Sequence, residues 1–352
     1  MNSGPPPVVE RLHAESPLLA PVNAHPWENK VTFNPACVLI EDRAELDRII
    51  PALPFSREVL QRLASFPALC FLLYRAQGAK TAEYDHTRST MGLAVLSPDL
   101  RLLARHDKPV LRPENDFEDL GVEDGRLSKV GDRYVLFYTA YASGAGENRI
   151  RIALASTADF VHWEKHGVLK GDPNTVDNKN AMLFEGKRGG KFVMLHRPMT
   201  GADAMAIHWA ESDELFGEWH SLGTLMLPRR ALGFVDTWIG GGAPPLLLPD
   251  GRHLMLYHTG NRKSDGTREY DLGIALVDWS RSEPLVRRNE PLLRPSTRLE
   301  TSGNRELGVN NVLFVCGAFF RNGDLWFPYA GADSVVLGAR ITAAALAPYL
   351  VG

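Results

Sequence analysis

Pro249-Asp250-Gly251-Arg252-His253-Leu254-Met255-Leu256-Tyr257-His258 reads as a glycine-bearing turn that feeds an apolar strand ending in tyrosine and histidine. The same reading returns along the chain. Leu72-Leu73-Tyr74-Arg75, Leu136-Phe137-Tyr138, Val193-Met194-Leu195-His196 and Trp326-Phe327-Pro328-Tyr329 are strands of this kind. Three of these four also follow a glycine turn, at Val130-Gly131-Asp132, Arg188-Gly189-Gly190 and Asn322-Gly323-Asp324. A further strand ending in small residues comes after three of the five copies, at Ile150–Ala155, Ala206–Ala210 and Leu272–Leu276. Tandem all-β units at a spacing of roughly 50–65 residues predict a propeller, where radial repetition protects the sheet edges. Five copies predict five blades. A two-sheet sandwich is the competing architecture, but it does not predict the recurrence.

The fold class is therefore read as all-β, a five-bladed β-propeller with a short N-terminal extension. Residues 1–30 are rich in proline and lack periodicity, so they are set apart as an extension. Residues 31–352 are read as a single propeller domain. One segment has helical spacing, Ser56–Ala64, with apolar residues three and four apart. Ala343–Leu350 reads as a short helix or a strand edge.

The chain has 352 residues, 44% apolar and 23% charged, which is the composition of a globular protein with a sizeable core. A net charge of -3 gives no reason to expect a nucleic-acid or anionic-membrane partner. No apolar run approaches the roughly 20 residues of a membrane span. The start of the chain has no basic region followed by an apolar one. Cys37, Cys70 and Cys316 lie in apolar surroundings without metal-ligand spacing, and are read as buried free thiols of a reducing compartment, hence a cytoplasmic protein.

Gly121-Val122-Glu123-Asp124-Gly125-Arg126 places two carboxylates between glycines just before a strand. Glycine freedom would let such a loop aim one carboxylate inward. A carboxylate beside an arginine normally stays ionised, so a general acid here has to escape that pairing. The other reading is a turn with an exposed ion pair. More polar groups stand where strands or their preceding loops near the propeller axis: Asn34, Arg75, Arg151, Lys179, His196, Arg197, His258 and Asp333. Singly, each has a structural explanation. Together, several buried cations demand an anion, and carboxylates beside cations fit a hydroxylated substrate with a phosphate or carboxylate. Tyr74, Tyr138, Trp238 and Tyr257 are aromatics able to stack on sugars or to serve as core. No histidine or cysteine pair has metal spacing, and no nucleophile elbow, phosphate loop or dinucleotide fingerprint occurs.

From Phe33 to Ala339 the chain resembles glycoside hydrolase family 130, the β-mannoside phosphorylases and β-mannosidases on a five-bladed propeller. The resemblance rests on Phe33-Asn34-Pro35, Leu73-Tyr74-Arg75-Ala76, the stretch at 121–126, Asn178-Lys179-Asn180-Ala181-Met182, Met194-Leu195-His196-Arg197-Pro198, Leu256-Tyr257-His258 and Ala330-Gly331-Ala332-Asp333. It implies Asp124 as the catalytic acid, acting through a mannosyl hydroxyl, with inorganic phosphate as inverting nucleophile and no other cofactor. It implies phosphate contacts at Lys179 and His258, with Arg151 a third, and mannosyl contacts at Asn34, Arg75 and Asp333. His196 and Arg197 would meet the acceptor sugar or phosphate. Two departures stand out: glycine at 125 where the family has proline, and Ile239 where phosphorylases carry a lysine.

Three functions are carried forward. The first is an inverting phosphorylase that converts a β-mannoside or manno-oligosaccharide to mannose 1-phosphate. The second is an inverting β-mannosidase, which needs a second carboxylate roughly 6.5–9.5 Å from the acid; Glu123, Asp203, Asp236 and Asp271 are the candidates. The third is a glycan-binding propeller without catalysis. The sequence leaves linkage and oligomeric state, including a homo-oligomer, open.

Overall fold

The computed structural model describes residues 6–80, 88–144, 149–200, 205–229, 235–281, 284–287 and 290–350. They form five small antiparallel sheets, the blades of a five-bladed β-propeller. Blade one comprises Val31–Ile40, Leu69–Gln77, Thr90–Leu96 and Leu102–Arg105, and blade two comprises Gly121–Val130, Arg133–Tyr141, Ile150–Thr157 and Trp163–Val168. Blade three holds Asn178–Leu183, Phe192–Pro198, Ile207–Ser212 and Glu218–Met226, with Lys170–Gly171 added in parallel at its edge. Blade four holds Asp236–Gly241, His253–Arg262, Arg268–Val277 and Leu285–Arg287, with Leu246–Leu247 pairing beside the first strand. Blade five holds Leu313–Val315, Phe319–Arg321, Asp324–Gly331 and Val335–Ile341.

The recurring sequence strand is the one that pairs with the innermost strand in every blade. Its alternate residues pack into separate apolar layers between neighbouring blades, because successive side chains of a strand point to opposite faces. Met194 of blade three packs toward Phe137 and Ile152 of blade two, whereas Leu195 packs toward Ile239 and Met255 of blade four. The first strands meet one another across blades, around the axis.

The ring is closed by the chain start. Glu10–Arg11 pairs antiparallel with Val335–Ile341 as the outer strand of blade five, so the first and last parts of the chain share one sheet. Leu18, Leu19 and Trp27 are buried, and Leu19 bridges to Val336. Glu28 is wholly buried; it accepts from Tyr74 Oη at 2.8 Å and from Arg105, and lies 2.6 Å from His25 Nδ1. A buried carboxylate needs such partners.

Arg57–Ala64 is a helix whose N-cap Ser56 accepts from Val59 N, as its spacing predicts. A second helix, Arg43–Ile49, was not legible from spacing: it is short, and only Leu46 and Ile49 are buried. Ala343–Leu350 is helical. The three cysteines are free and buried. No helix among the described residues is long and apolar enough to cross a membrane.

Candidate active site

The first strands of blades one, two and three break register at the same place, between Phe33 and Ala36, Glu123 and Arg126, and Lys179 and Met182. At each break one residue takes the left-handed conformation: Asn34 (φ 47°), Asp124 (φ 49°) and Asn180 (φ 56°). Asparagine and aspartate tolerate that region better than other side-chain-bearing residues. A bulge frees ladder groups and re-aims a side chain. Three blades thereby present a polar side chain at equivalent positions near the axis. The stretch 121–126 is thus not the turn its glycines suggest but the start of the ten-residue strand Gly121–Val130. Asp124 itself, not Gly125, carries the unusual backbone.

Asp124 is 6% exposed. Its Oδ1 accepts from Asn34 Nδ2 at 2.6 Å and from Arg75 Nη1 at 3.1 Å. Arg75 reaches Glu123 Oε1 through Nη2 at 2.6 Å, and Ser89 Oγ through Nε at 3.0 Å. Ser89 Oγ in turn donates to Glu123 Oε1 at 3.0 Å. Burial works to raise the Asp124 pKa, but Arg75, Arg126, Lys179 and the Asn34 hydrogen bond outweigh it and hold it at about 2. Asp124 therefore does not escape pairing in the free protein. It avoids its sequence neighbour Arg126 only to meet Arg75. Asp333, also left-handed (φ 47°), is pushed the other way, to about 7, by burial and by the Asp124 charge. Its Oδ1 is buried without a hydrogen-bond partner.

Beside Arg75 of blade one, the cations come from blades two and three, and blade four adds His258. Lys179 and Arg197 are cross-strand neighbours in blade three. Burial and the facing Arg197 lower Lys179, and burial lowers Arg197 to about 10. Arg126 is 1% exposed and spends its guanidinium on three carbonyls, Asp124 O at 2.5 Å, Gly241 O at 3.2 Å and Gly242 O at 3.1 Å, and on Asn180 Oδ1 at 3.3 Å. His258 has no exposed surface; it packs against Phe314 at 4.2 Å between ring centroids, and burial, Arg197, Arg126 and Lys179 all drive its pKa well down. Four cations, Arg75, Arg126, Lys179 and Arg197, gathered about Asp124, Glu123 and Asp333 make a site able to take an anion.

Asn34, Arg75, Asp124, Lys179, Arg197, His258 and Asp333 thus form one electrostatic cluster. Arg151 is half-buried with its Nε unpartnered, and is not among the leading influences on Asp124, Lys179, His258 or Asp333. His196 is buried in a separate contact, its Nδ1 2.8 Å from Asn178 Nδ2, with a pKa lowered to about 3 by burial and by His208. Tyr74 and Tyr138 are core residues whose hydroxyls donate to Glu28 and Glu118, so they do not present faces to a sugar. Asp203 lies outside the described residues.

Ile239 is 1% exposed and packs among Met182, Leu195, Met226 and Met255 between blades three and four. Its side chain points away from the axis. The axial position is the next residue, Gly240, where a β-carbon would come within 2.3 Å of Asn180 Nδ2 and 2.5 Å of His258 Nε2. Arg126 and Asn180 belong to the cluster as well, and strand periodicity does not single them out. A signal for Asn180 existed in the parallel between Asn34-Pro35, Asp124-Gly125 and Asn180-Ala181. Among the described residues no group of histidine, cysteine or carboxylate side chains is placed to hold a metal ion.

Residues 55–347 match the family model described as beta-1,4-mannooligosaccharide phosphorylase. The chain belongs to glycoside hydrolase family 130. It is an enzyme acting on mannosides. A 1,2-beta-oligomannan phosphorylase of Thermoanaerobacter sp. is 30% identical, over 92% of this chain and 94% of the relative. A beta-1,2-mannobiose phosphorylase of the same organism is 31% identical, over 93% and 95%. Among solved structures, the beta-1,2-mannobiose phosphorylase of Listeria innocua in complex with beta-1,2-mannobiose superposes with a TM-score of 0.75 at 21% identity, covering 98% of this chain and 99% of that one. That likeness concerns the fold.

Proposed function

We propose that this enzyme is an inverting phosphorylase that cleaves a β-1,2-linked mannobiose or oligomannan with inorganic phosphate and releases mannose 1-phosphate. The observation that carries the reading is the surplus of cations, Lys179, Arg197 and Arg126, packed around the Asp124 carboxylate. Phosphate is already an anionic nucleophile, so it needs cations to hold it and no protein base. The β-1,2 linkage is taken from the names of the two relatives that are at least 30% identical.

Asp124 is the acid. In the free protein the positive field keeps it ionised. Phosphate bound at Lys179 and Arg197 brings negative charge that offsets this field, and sugar hydroxyls compete for Arg75, so both partners raise the proton affinity of Asp124. The proton then passes to the glycosidic oxygen, through a mannosyl hydroxyl. That oxygen leaves with the bonding electron pair, and a phosphate oxygen forms the new bond to the anomeric carbon from the opposite face. Asn34, Arg75 and Asp333 hold the mannosyl unit, while Arg151, His196 and His258 complete the acceptor and phosphate surroundings. A hydrolase would require a second carboxylate free to activate water, and Asp333, whose Oδ1 is unpartnered, is given to the mannosyl unit in this reading. Glu123 is engaged by Arg75 and Ser89, and the leading charged neighbours of Asp271 are Glu269 and Arg294. Three buried free thiols fit a cytoplasmic setting.

The test is incubation of the enzyme with β-1,2- and β-1,4-mannobiose, each with and without phosphate. Mannose 1-phosphate from the β-1,2 substrate only when phosphate is present is the expected result. Equal cleavage without phosphate would make the enzyme a mannosidase, and absence of cleavage would leave a glycan-binding propeller.

A further inference from the structure

A guanidinium donates hydrogen bonds and accepts none. Arg126 Nη2 lies 3.3 Å from the Asn180 amide, so the atom facing it is the oxygen, Oδ1. That choice turns the amide nitrogen of Asn180 toward His258, where Nδ2 stands 3.4 Å from Nε2. An amide nitrogen only donates. His258 Nε2 must then accept, and the single ring proton belongs on Nδ1. A second proton would set two donors against each other, and the charged groups acting most strongly on the ring, Arg197, Arg126 and Lys179, are all cations. The rings packed against it are those of Phe314 and Tyr270, at 4.2 Å and 6.1 Å between centroids. Arg126 also lies over the Phe314 ring, at 5.4 Å, so it braces His258 from two sides.

We propose that Arg126 and Asn180 are positioning residues that hold His258 as the neutral Nδ1–H tautomer. Charge for phosphate then comes from Lys179 and Arg197, while His258 supplies a dipole with a fixed direction. The proposal rests on the reading of the axial basic cluster as the phosphate site. His196 provides the contrast. Asn178 Nδ2 donates to Pro173 O at 2.5 Å, which fixes that amide as well and sets its nitrogen 2.8 Å from His196 Nδ1. The His196 proton therefore sits on Nε2, which is buried and unpartnered. Two asparagines of one strand fix two histidines in opposite tautomers.

Long-range proton–nitrogen NMR of the full-length enzyme, with nitrogen-15 in its histidine rings and near neutral pH, tests this. The signals of His258 and His196 are identified by loss in His258→Gln and His196→Gln. The expected pattern is a bare Nε2 and protonated Nδ1 for His258, and the reverse for His196. Asn180→Asp, which offers only acceptors, should transfer the His258 proton to Nε2 or add a second one, with His196 unchanged. Arg126→Lys should broaden or mix the His258 pattern, because one ammonium cannot span the same acceptors. A protonated Nε2 on neutral His258 in the native enzyme would overturn the proposal without any variant. So would an unchanged pattern in a folded Asn180→Asp protein. Failure of the phosphorylase reading appears separately, as phosphate-independent cleavage by the native enzyme.

Discussion

Asn34 and Asp124 occupy the same bulge position in neighbouring blades, and Asn34 Nδ2 donates to Asp124 Oδ1 across 2.6 Å. The proposed acid is thus oriented by the residue that replaces it in the repeat. Asp124→Asn keeps the shape and removes the proposed proton source. General acid catalysis contributes typically 10²–10⁴-fold, so phosphorolysis should fall by at least that factor. Thermal melting should remain cooperative, since Glu123 still pairs with Arg75 at 2.6 Å. An Asp124→Asn enzyme with near-native turnover would remove Asp124 from its role.

Asn34→Ala tests the orientation. A hydrogen bond to a charged group contributes about 1.5–3 kcal/mol, and this one favours the carboxylate form. Its loss should raise the proton affinity of Asp124 and shift the pH profile of kcat/KM upward. Alanine in the left-handed region adds about 1 kcal/mol of strain, seen as a lower melting temperature. A pH profile that does not move would show that Asn34 acts only on sugar binding.

Asp333 gives a pH signature without substrate. Its pKa in the folded protein, about 7, lies above the ordinary carboxylate value near 3.8, so the folded state holds the extra proton between these limits. Stability from this group is therefore complete in acid and is lost as pH rises from about 4 to about 7. Asp124 has the opposite sign: its contribution is present above its ordinary value and is lost as pH falls toward about 2. Asp333→Asn should melt higher than the native enzyme at neutral pH, by up to roughly 4 kcal/mol, and the advantage should vanish in acid. Equal melting at neutral pH would mean that Asp333 ionises without penalty.

The blades were legible because each repeats one strand, preceded by a glycine turn in four of the five, and that strand pairs directly with the innermost strand of its sheet. Asp124, Lys179 and His258 were legible as candidates because polar groups interrupt apolar strands. Arg126 was not, because its place depends on carbonyls of Gly241 and Gly242, more than a hundred residues away. Ile239 was misplaced for a related reason. Alternation along Asp236–Gly241 decides which residues face the axis, and the run of glycines hides the phase. The ring closure by Glu10–Arg11 was hidden too, since a two-residue strand has no period to read.

That closure makes the chain start part of the fold energetics. Leu19 is 1% exposed and packs with Leu18, Trp27 and Trp326 against blades one and five. Leu19→Ala should cost about 2–5 kcal/mol by leaving a cavity. Deleting residues 1–20 would in addition uncover the edge of Val335–Ile341 and leave Glu300 without Arg11, which donates to it at 2.7 Å. The deletion should melt well below the Leu19→Ala variant and aggregate. A truncated protein as stable as the native one would show that the propeller closes without this strand.

Ile239 and Gly240 separate the two accounts of the missing lysine. If the axial basic cluster lacked a cation at 239, Ile239→Lys would tighten phosphate binding. The structure places that side chain among Met182, Leu195 and Met255, where an ammonium has no partner. Ile239→Lys should therefore destabilise by several kcal/mol, with no fall in the KM for phosphate. Gly240→Ala tests the axial side. Its β-carbon enters the space against Asn180 Nδ2 and His258 Nε2, and the resulting overpacking costs about 1–3 kcal/mol. Spent at the anion site, that cost should appear as a rise in the KM for phosphate of roughly fivefold or more. A folded Ile239→Lys enzyme with a lower phosphate KM would place position 239 at the anion after all.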